Sequence, residues 1–214
     1  MMVDKRKFKD INVSLLGLGT MRLPCETEQK RESNPNIDYD KAQSLVDLAY
    51  KNGVNYFDTA YMYHCGKSEA FIGYALKKYP RDTYFIADKL PIWLCDTKED
   101  MKRVFDEQLE RTGMDYFDFY LLHSLDNENF EKCEKFDAYD FLKKMQKEGK
   151  IKYIGFSFHG TVDDLRNIVS AHKWDFAQIQ MNYLDWENQN AKMQYQILED
   201  AGCLLYTSDA ADDT

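Results

Sequence analysis

The chain has 214 residues, 44% of them apolar and 30% charged, enough for one domain with a sizeable core. A net charge of −9 argues against a general nucleic-acid binder, and no apolar run approaches the roughly 20 residues of a membrane span. The five cysteines form no Cys-x-x-Cys pair, and "MMVDKRKFKD" is not followed by an apolar stretch. The chain therefore reads as a cytoplasmic protein with reduced thiols and no signal peptide.

In chain order, "FKDINVSLLG" predicts a short hairpin, and "SLLGLGTM" the first strand of a repeating pattern. A polar insertion, "CETEQKRESNPNID", precedes the helical period of "YDKAQSLVDLAYKNG". Strand "VNYFDTA" then precedes helix "KSEAFIGYALKKY", and strand "TYFIADKL" precedes helix "TKEDMKRVFDEQLERTG". Strand "YFDFYLLHS" leads through a second polar insertion, "LDNENFEKCEKFD", to helix "AYDFLKKMQKEGK". Strand "IKYIGFSF" with helix "TVDDLRNIVSAHK", and strand "FAQIQMN" with helix "NAKMQYQILEDAG", complete the series. Thr97 with Asp100 and Thr161 with Asp164 have the spacing of helix N-terminal caps, and Gly53, Gly113 and Gly149 fall where helices end.

Strands alternating with helices imply βαβ units and a parallel sheet. Each strand run ends in a small or polar residue: Gly19-Thr20, Asp58, Lys89, His123, Ser157 and Gln178. In a βα barrel these ends form the face that carries chemistry. An open doubly wound sheet would place a full G-x-G-x-x-G at its first turn, which "GLGTM" lacks. The expected fold is α/β, an incomplete (β/α)8 TIM barrel of about six units, with the hairpin plugging its bottom.

Singly, each polar strand end has a plain structural reading. Asp58 could cap a turn, His123 could be a satisfied core histidine, and Ser157 and Gln178 could satisfy backbone groups. Tyr63 is one of 15 tyrosines. Their occurrence together changes the reading. Through "LGLGTMRLP", "FDTAYMYHCGKSE", "DYFDFYLLHS", "IKYIGFSFHG" and "AQIQMNY" the chain resembles the aldo/keto reductase superfamily. "GFSFHG" and "WDFAQIQMNYLD" look most like the branch that often carries a C-terminal iron–sulfur segment.

The resemblance implies an oxidoreductase that reduces aldehydes or ketones by hydride transfer from a nicotinamide cofactor, NADPH or else NADH. It implies Tyr63 as proton donor, Lys89 and Asp58 as its buried ion pair, and His123 as the residue that orients the substrate. A nearby ammonium is expected to make Tyr63 a stronger acid. Gly19, Thr20, Met21, Asp58, Ser157 and Gln178 are the implied cofactor residues. Phe158 stands where most relatives have Asn, which puts one carboxamide contact in doubt. The implied partner is a small carbonyl substrate, with no nucleic acid or membrane. Two rivals are a non-catalytic cofactor-binding sensor or regulatory relative, and an unrelated metal-assisted hydrolase using His64, Cys65 and His123.

The final stretch, "CLLYTSDAADDT", resembles a translated sequencing adapter. On that reading residues 1–202 are the N-terminal part of the barrel and 203–214 a non-native tail. The chain would then be a truncated fragment, inactive as it stands, and an iron–sulfur cluster could belong only to a missing C-terminal segment.

Overall fold

A computed structural model of the chain describes residues 2–27, 34–181, 186 and 191–208, and for 204–208 the backbone alone. The chain divides into two compact units, Met1–Lys89 with Arg103–Phe119, and Leu90–Lys102 with Tyr120–Thr214.

In the first unit, β1 (Lys5–Phe8) and β2 (Ile11–Ser14) form the expected hairpin, Phe8 opposite Ile11, with Lys9 in the left-handed region at φ 50°. Asn55 ties it to the start of the next strand. Its Oδ1 accepts from Ser14 N at 2.8 Å, and its Nδ2 donates to Asn12 O at 2.9 Å. Strand β3 (Leu18–Gly19) pairs in parallel with β4 (Tyr56–Asp58), which pairs in parallel with β5 (Phe85–Leu90). Helix α1 (Tyr39–Lys51) starts at Asp38, whose carboxylate accepts from Lys41 N at 3.1 Å, and stops at Gly53, φ 94°. Helix α2 (Ser68–Leu76) and the later part of α3 (Lys98–Thr112) complete the unit.

Gly73 sets how closely α2 and α3 approach. A Cβ there would lie 2.1 Å from Thr112 O, a backbone atom that cannot swing aside. Gly73→Ala is therefore expected to cost about 1–3 kcal/mol by overpacking, read as a lower unfolding midpoint in denaturant. An unchanged midpoint would mean that the two helices can move apart freely.

Strand β6 (Phe117–Leu125) runs from the first unit into the second. The second unit continues with α4 (Asn127–Lys135), α5 (Ala138–Lys147), β7 (Ile151–Phe158), α6 (Val162–Ala171), β8 (Phe176–Gln180), α7 (Ala191–Asp200) and β9 (Leu204–Ser208). Thr161 and Asp164 form the expected capping box, bonds of 3.3 and 2.8 Å. Thr97 N donates to Asp100 at 2.9 Å in the same way. The second polar insertion is a helix rather than a loop. Asp126 caps α4 through Asn129 N at 2.8 Å, and Phe130 and Cys133 bury one face. Of the first insertion, residues 28–33 lie outside the described residues, while Cys25 bridges Ile37 antiparallel.

The sheet order β3-β4-β5-β6-β7-β8-β9 is sequential, so the fold is α/β and matches an incomplete (β/α)8 barrel. Six strand–helix units are followed by the strand β9. Gly202, at φ 67°, ends α7, and the chain turns at once into β9, which pairs in parallel with β8 from Phe176↔Leu204 to Gln180↔Ser208. Residues 209–214 lie outside the described residues.

Candidate active site

Lys89 is the centre of the first unit's polar cluster. It is 2% exposed, and its ammonium donates to Asp58 Oδ2 at 2.6 Å, Thr59 O at 2.9 Å and Tyr63 Oη at 3.2 Å. Those three bonds use all three ammonium donors. Burial pushes Lys89 toward its neutral form, but Asp58 and then Tyr63 outweigh it, so its pKa stands above the usual lysine value. An ammonium can only donate, so Tyr63 Oη is the acceptor and its own proton points elsewhere than the lysine.

The Tyr63 pKa is raised, against the expectation from charge alone. Burial raises it first, Lys89 pulls it back, and Asp58 pushes it up again. The phenol therefore keeps its proton through neutral pH.

Tyr63 opens a tight turn, Tyr63–Gly66, in which His64, Cys65 and Gly66 are all left-handed, at φ 52°, 54° and 83°. Two of these are non-glycine residues, so the turn stores strain and needs anchoring. His64 supplies the anchor. Its Nε2 accepts from Leu23 N at 3.0 Å, which makes Nδ1 the protonated nitrogen, donating to Asn34 O at 2.7 Å. With both ring nitrogens used, His64 is a structural pin and not a metal ligand. Among the described residues no group of His, Cys, Asp and Glu is placed to hold a metal ion. His64→Ala should leave two buried backbone groups unsatisfied, about 1–3 kcal/mol each, and loosen the turn that carries Tyr63. Fluorescence-monitored unfolding checks this, and a wild-type midpoint would refute it.

Thr20 and Gly19 lie at the same strand ends. Gly19 pairs with Asp58, and the Thr20 hydroxyl donates to Asp58 O at 2.9 Å while accepting from Ser68 at 2.5 Å. The Thr20 side chain is thus occupied in joining β3 to β4. Met21 follows, half-buried.

The second unit holds His123, Ser157 and Gln178. His123 lies near the end of β6, its ring 5.0 Å from that of Trp93. The next residue, Ser124, is left-handed at φ 50°. Ser157 and Asn129 hold this kink: Ser124 N donates to Ser157 Oγ at 2.7 Å, and Asn129 Nδ2 donates to Ser124 O at 2.9 Å. Ser157 pairs with Gln178 across β7 and β8. Gln178 Oε1 is buried and has no hydrogen-bond partner among the described residues. Phe158 is buried and packs at 6.5 Å from Phe156, offering no polar atom from its side chain. Trp93, Ser124 and Asn129 were not legible as site residues, because no motif marks them. A left-handed serine after a strand histidine shows only in the backbone.

The aldo/keto reductase family model matches residues 15–209. The chain belongs to the aldo/keto reductase family. An aldo-keto reductase of Gibberella moniliformis is 30% identical over 83% of this chain and 53% of its own length. The NADH-specific methylglyoxal reductase of Escherichia coli is 27% identical over 85% of this chain and 59% of its own. The holo form of an aldo-keto reductase from Bacillus halodurans has the same fold, with a TM-score of 0.77 at 23% identity, over 96% of this chain and 65% of that one. The chain spans about half the length of the curated relatives it matches.

These matches correct the reading of the final stretch. An aldo/keto reductase match that runs to residue 209 overturns a chain cut short at Gly202 with a foreign tail joined on. Strand β9, in register with β8, shows where residues 204–208 go. The inactivity inferred from that end loses its support. The assignment to an iron–sulfur branch is overturned too. The match is to the general family, and the similar proteins are named as reductases over nearly the whole of this chain.

Proposed function

We propose that this protein reduces small aldehydes or ketones to alcohols with a nicotinamide cofactor, NADPH or NADH, and that Tyr63 is the proton donor. The observation that carries this reading is the Lys89 ammonium held between Asp58 at 2.6 Å and Tyr63 at 3.2 Å. Such a cluster suits delivery of a proton to a carbonyl oxygen. Tyr63 keeps its proton until the reaction demands it, and the phenolate left behind faces a fixed cation rather than water. Asp58 and Thr59 keep Lys89 charged and aimed. By family likeness, His123 takes the orienting role.

The second unit fits a carboxamide. Gln178 Oε1 is a buried acceptor with no donor among the described residues. The Ser157 oxygen already accepts from Ser124, so its hydroxyl proton can be donated to a carboxamide oxygen. Gln178 and Ser157 are therefore the residues that would hold the nicotinamide amide; in the family pattern Gly19, Thr20 and Met21 also serve the cofactor. When bound, the nicotinamide supplies the hydride.

The named activity of the Escherichia coli relative makes methylglyoxal the first substrate to try. The test is NADPH and NADH oxidation at 340 nm with methylglyoxal and a panel of small aldehydes. Carbonyl-dependent oxidation supports an enzyme. Cofactor binding without turnover would favour a sensor.

A further inference from the structure

On the far side of β5 from the tyrosine lies a second polar cluster. Adjacent strand residues face opposite sides, so while Lys89 reaches Tyr63, Asp88 points toward α2 and α3. Asp88, Glu69 of α2 and Gln108 of α3 are each 0% exposed. Asp88 Oδ1 accepts from Lys89 N at 2.8 Å and from Gln108 Nε2 at 2.9 Å. Gln108 Nε2 also donates to Lys89 O at 2.9 Å. The backbone of Lys89 is thus held at both its N–H and its C=O by one carboxyl–carboxamide clamp. The helix approach that Gly73 and Thr112 permit lies one turn beyond Glu69 and Gln108, which is what brings them to the strand.

The remaining carboxyl oxygens carry the inference. Gln108 binds Asp88 and Arg111 binds Glu69, and the two carboxyl groups lie close enough in this buried cluster for each to act on the other's charge. Glu69 Oε2 accepts from Arg111 at 3.0 Å, but Glu69 Oε1 and Asp88 Oδ2 are buried and have no hydrogen-bond partner among the described residues. Two carboxylates have no hydrogen to offer each other, and a proton between them satisfies both oxygens at once.

We propose that Asp88 and Glu69 share one proton, and that this pair with Gln108 is the positioning device that fixes the Lys89 backbone from which the ammonium reaches Tyr63. The positioning half rests on the proposed function; the shared proton does not. The charged and titratable groups around Asp88 act in both directions, with those that favour its neutral form prevailing. Burial first, then the facing Glu69 and, beyond Lys89, Asp58 favour its neutral form, while Lys89 opposes them. Glu69 is likewise pushed up by burial and pulled back by Arg111 and Gln108. Asp88 in turn makes the ionisation of Tyr63 harder.

The sign of the pH dependence follows. The unfolded chain releases these protons at about pH 4, whereas the folded pair keeps one. Stability therefore falls as pH rises from there toward the pair's own, higher pKa. Asp88→Asn and Glu69→Gln each replace the shared proton by an amide N–H, and each should flatten this slope from about pH 4 upward.

The experiment measures the wild-type protein and both variants by infrared spectroscopy at neutral pH and by thermal unfolding against pH. A protonated-carboxyl C=O band in the wild type, lost in both variants along with the slope, is expected. A wild type without the band, or with the variants' flat profile, overturns the shared proton whether or not the protein turns over. For positioning, Asp88→Val removes the acceptor of the Lys89 N–H. It should lower kcat on the order of 10- to 10²-fold with KM little changed, and Asp88→Asn should restore most of that loss. The ¹⁵N-lysine NMR signal of the Lys89 ammonium should shift in Asp88→Val and return in Asp88→Asn. A Lys89 signal that ignores both substitutions overturns the positioning role even if no carbonyl is reduced.

Discussion

Replacing Tyr63 by phenylalanine is expected to lower carbonyl reduction on the order of 10²–10⁴-fold while leaving nicotinamide binding near its wild-type strength. The substitution removes one oxygen. Lys89 loses its longest bond, at 3.2 Å, and keeps Asp58 and Thr59. The ring that lies 4.8 Å from the ammonium stays, so the strained turn keeps its packing. What disappears is the proton source. Because burial raises the Tyr63 pKa, wild-type reduction should hold across neutral pH and decline only above the ordinary tyrosine value of about 10. Steady-state turnover against pH, with cofactor titration by fluorescence, checks both statements. Full activity in Tyr63→Phe would remove Tyr63 from the chemistry.

Lys89→Met is expected to damage both stability and turnover. The lysine is buried, and the Asp58 side chain is only 11% exposed. Breaking one side of a buried pair leaves the other charge inside, at a cost of about 3–5 kcal/mol. The loss also strips Thr59 O and Tyr63 of their donor. Adding Asp58→Asn to Lys89→Met should recover part of the stability and none of the turnover, since the charge is gone but the cation is still missing. Urea unfolding of the two single variants and the double variant makes the cycle. A Lys89→Met protein as stable and as active as wild type would show that the ion pair neither holds the fold nor tunes the tyrosine.

The alternation of strands and helices was legible because the apolar period switches visibly, as between "TYFIADKL" and "TKEDMKRVFDEQLERTG". The Asp58, Tyr63 and Lys89 cluster was legible only as a set, through likeness to a family. Helix α4 was hidden by its charge: Phe130 and Cys133 are its only buried residues, and the cap Asp126 looked like one more polar loop residue. Strand β9 was misread because the acidic "DAADDT" beside it outweighed "LLYTS". A short strand is specified by its neighbour, and β8 supplies it. Glu69 reads from sequence as an ordinary acid in the first turn of a helix. Only the close passage of α2 over α3 at Gly73 reveals it as a fully buried carboxyl beside Arg111. The anchoring of the Tyr63 turn by His64 likewise depends on Leu23 and Asn34, distant in the chain, and no local pattern encodes it.

The most direct measurement follows the hydrogen atoms. The protein is incubated with methylglyoxal or another accepted carbonyl and with NADPH or NADH deuterated at the reactive nicotinamide carbon, and the alcohol is analysed by mass spectrometry and NMR. Deuterium on the former carbonyl carbon at one atom per turnover, with the hydroxyl proton drawn from solvent and the rate collapsing in Tyr63→Phe, is the expected result. A protein that binds the nicotinamide yet yields no deuterated alcohol from any small carbonyl, or one whose product forms equally well without Tyr63, would contradict it.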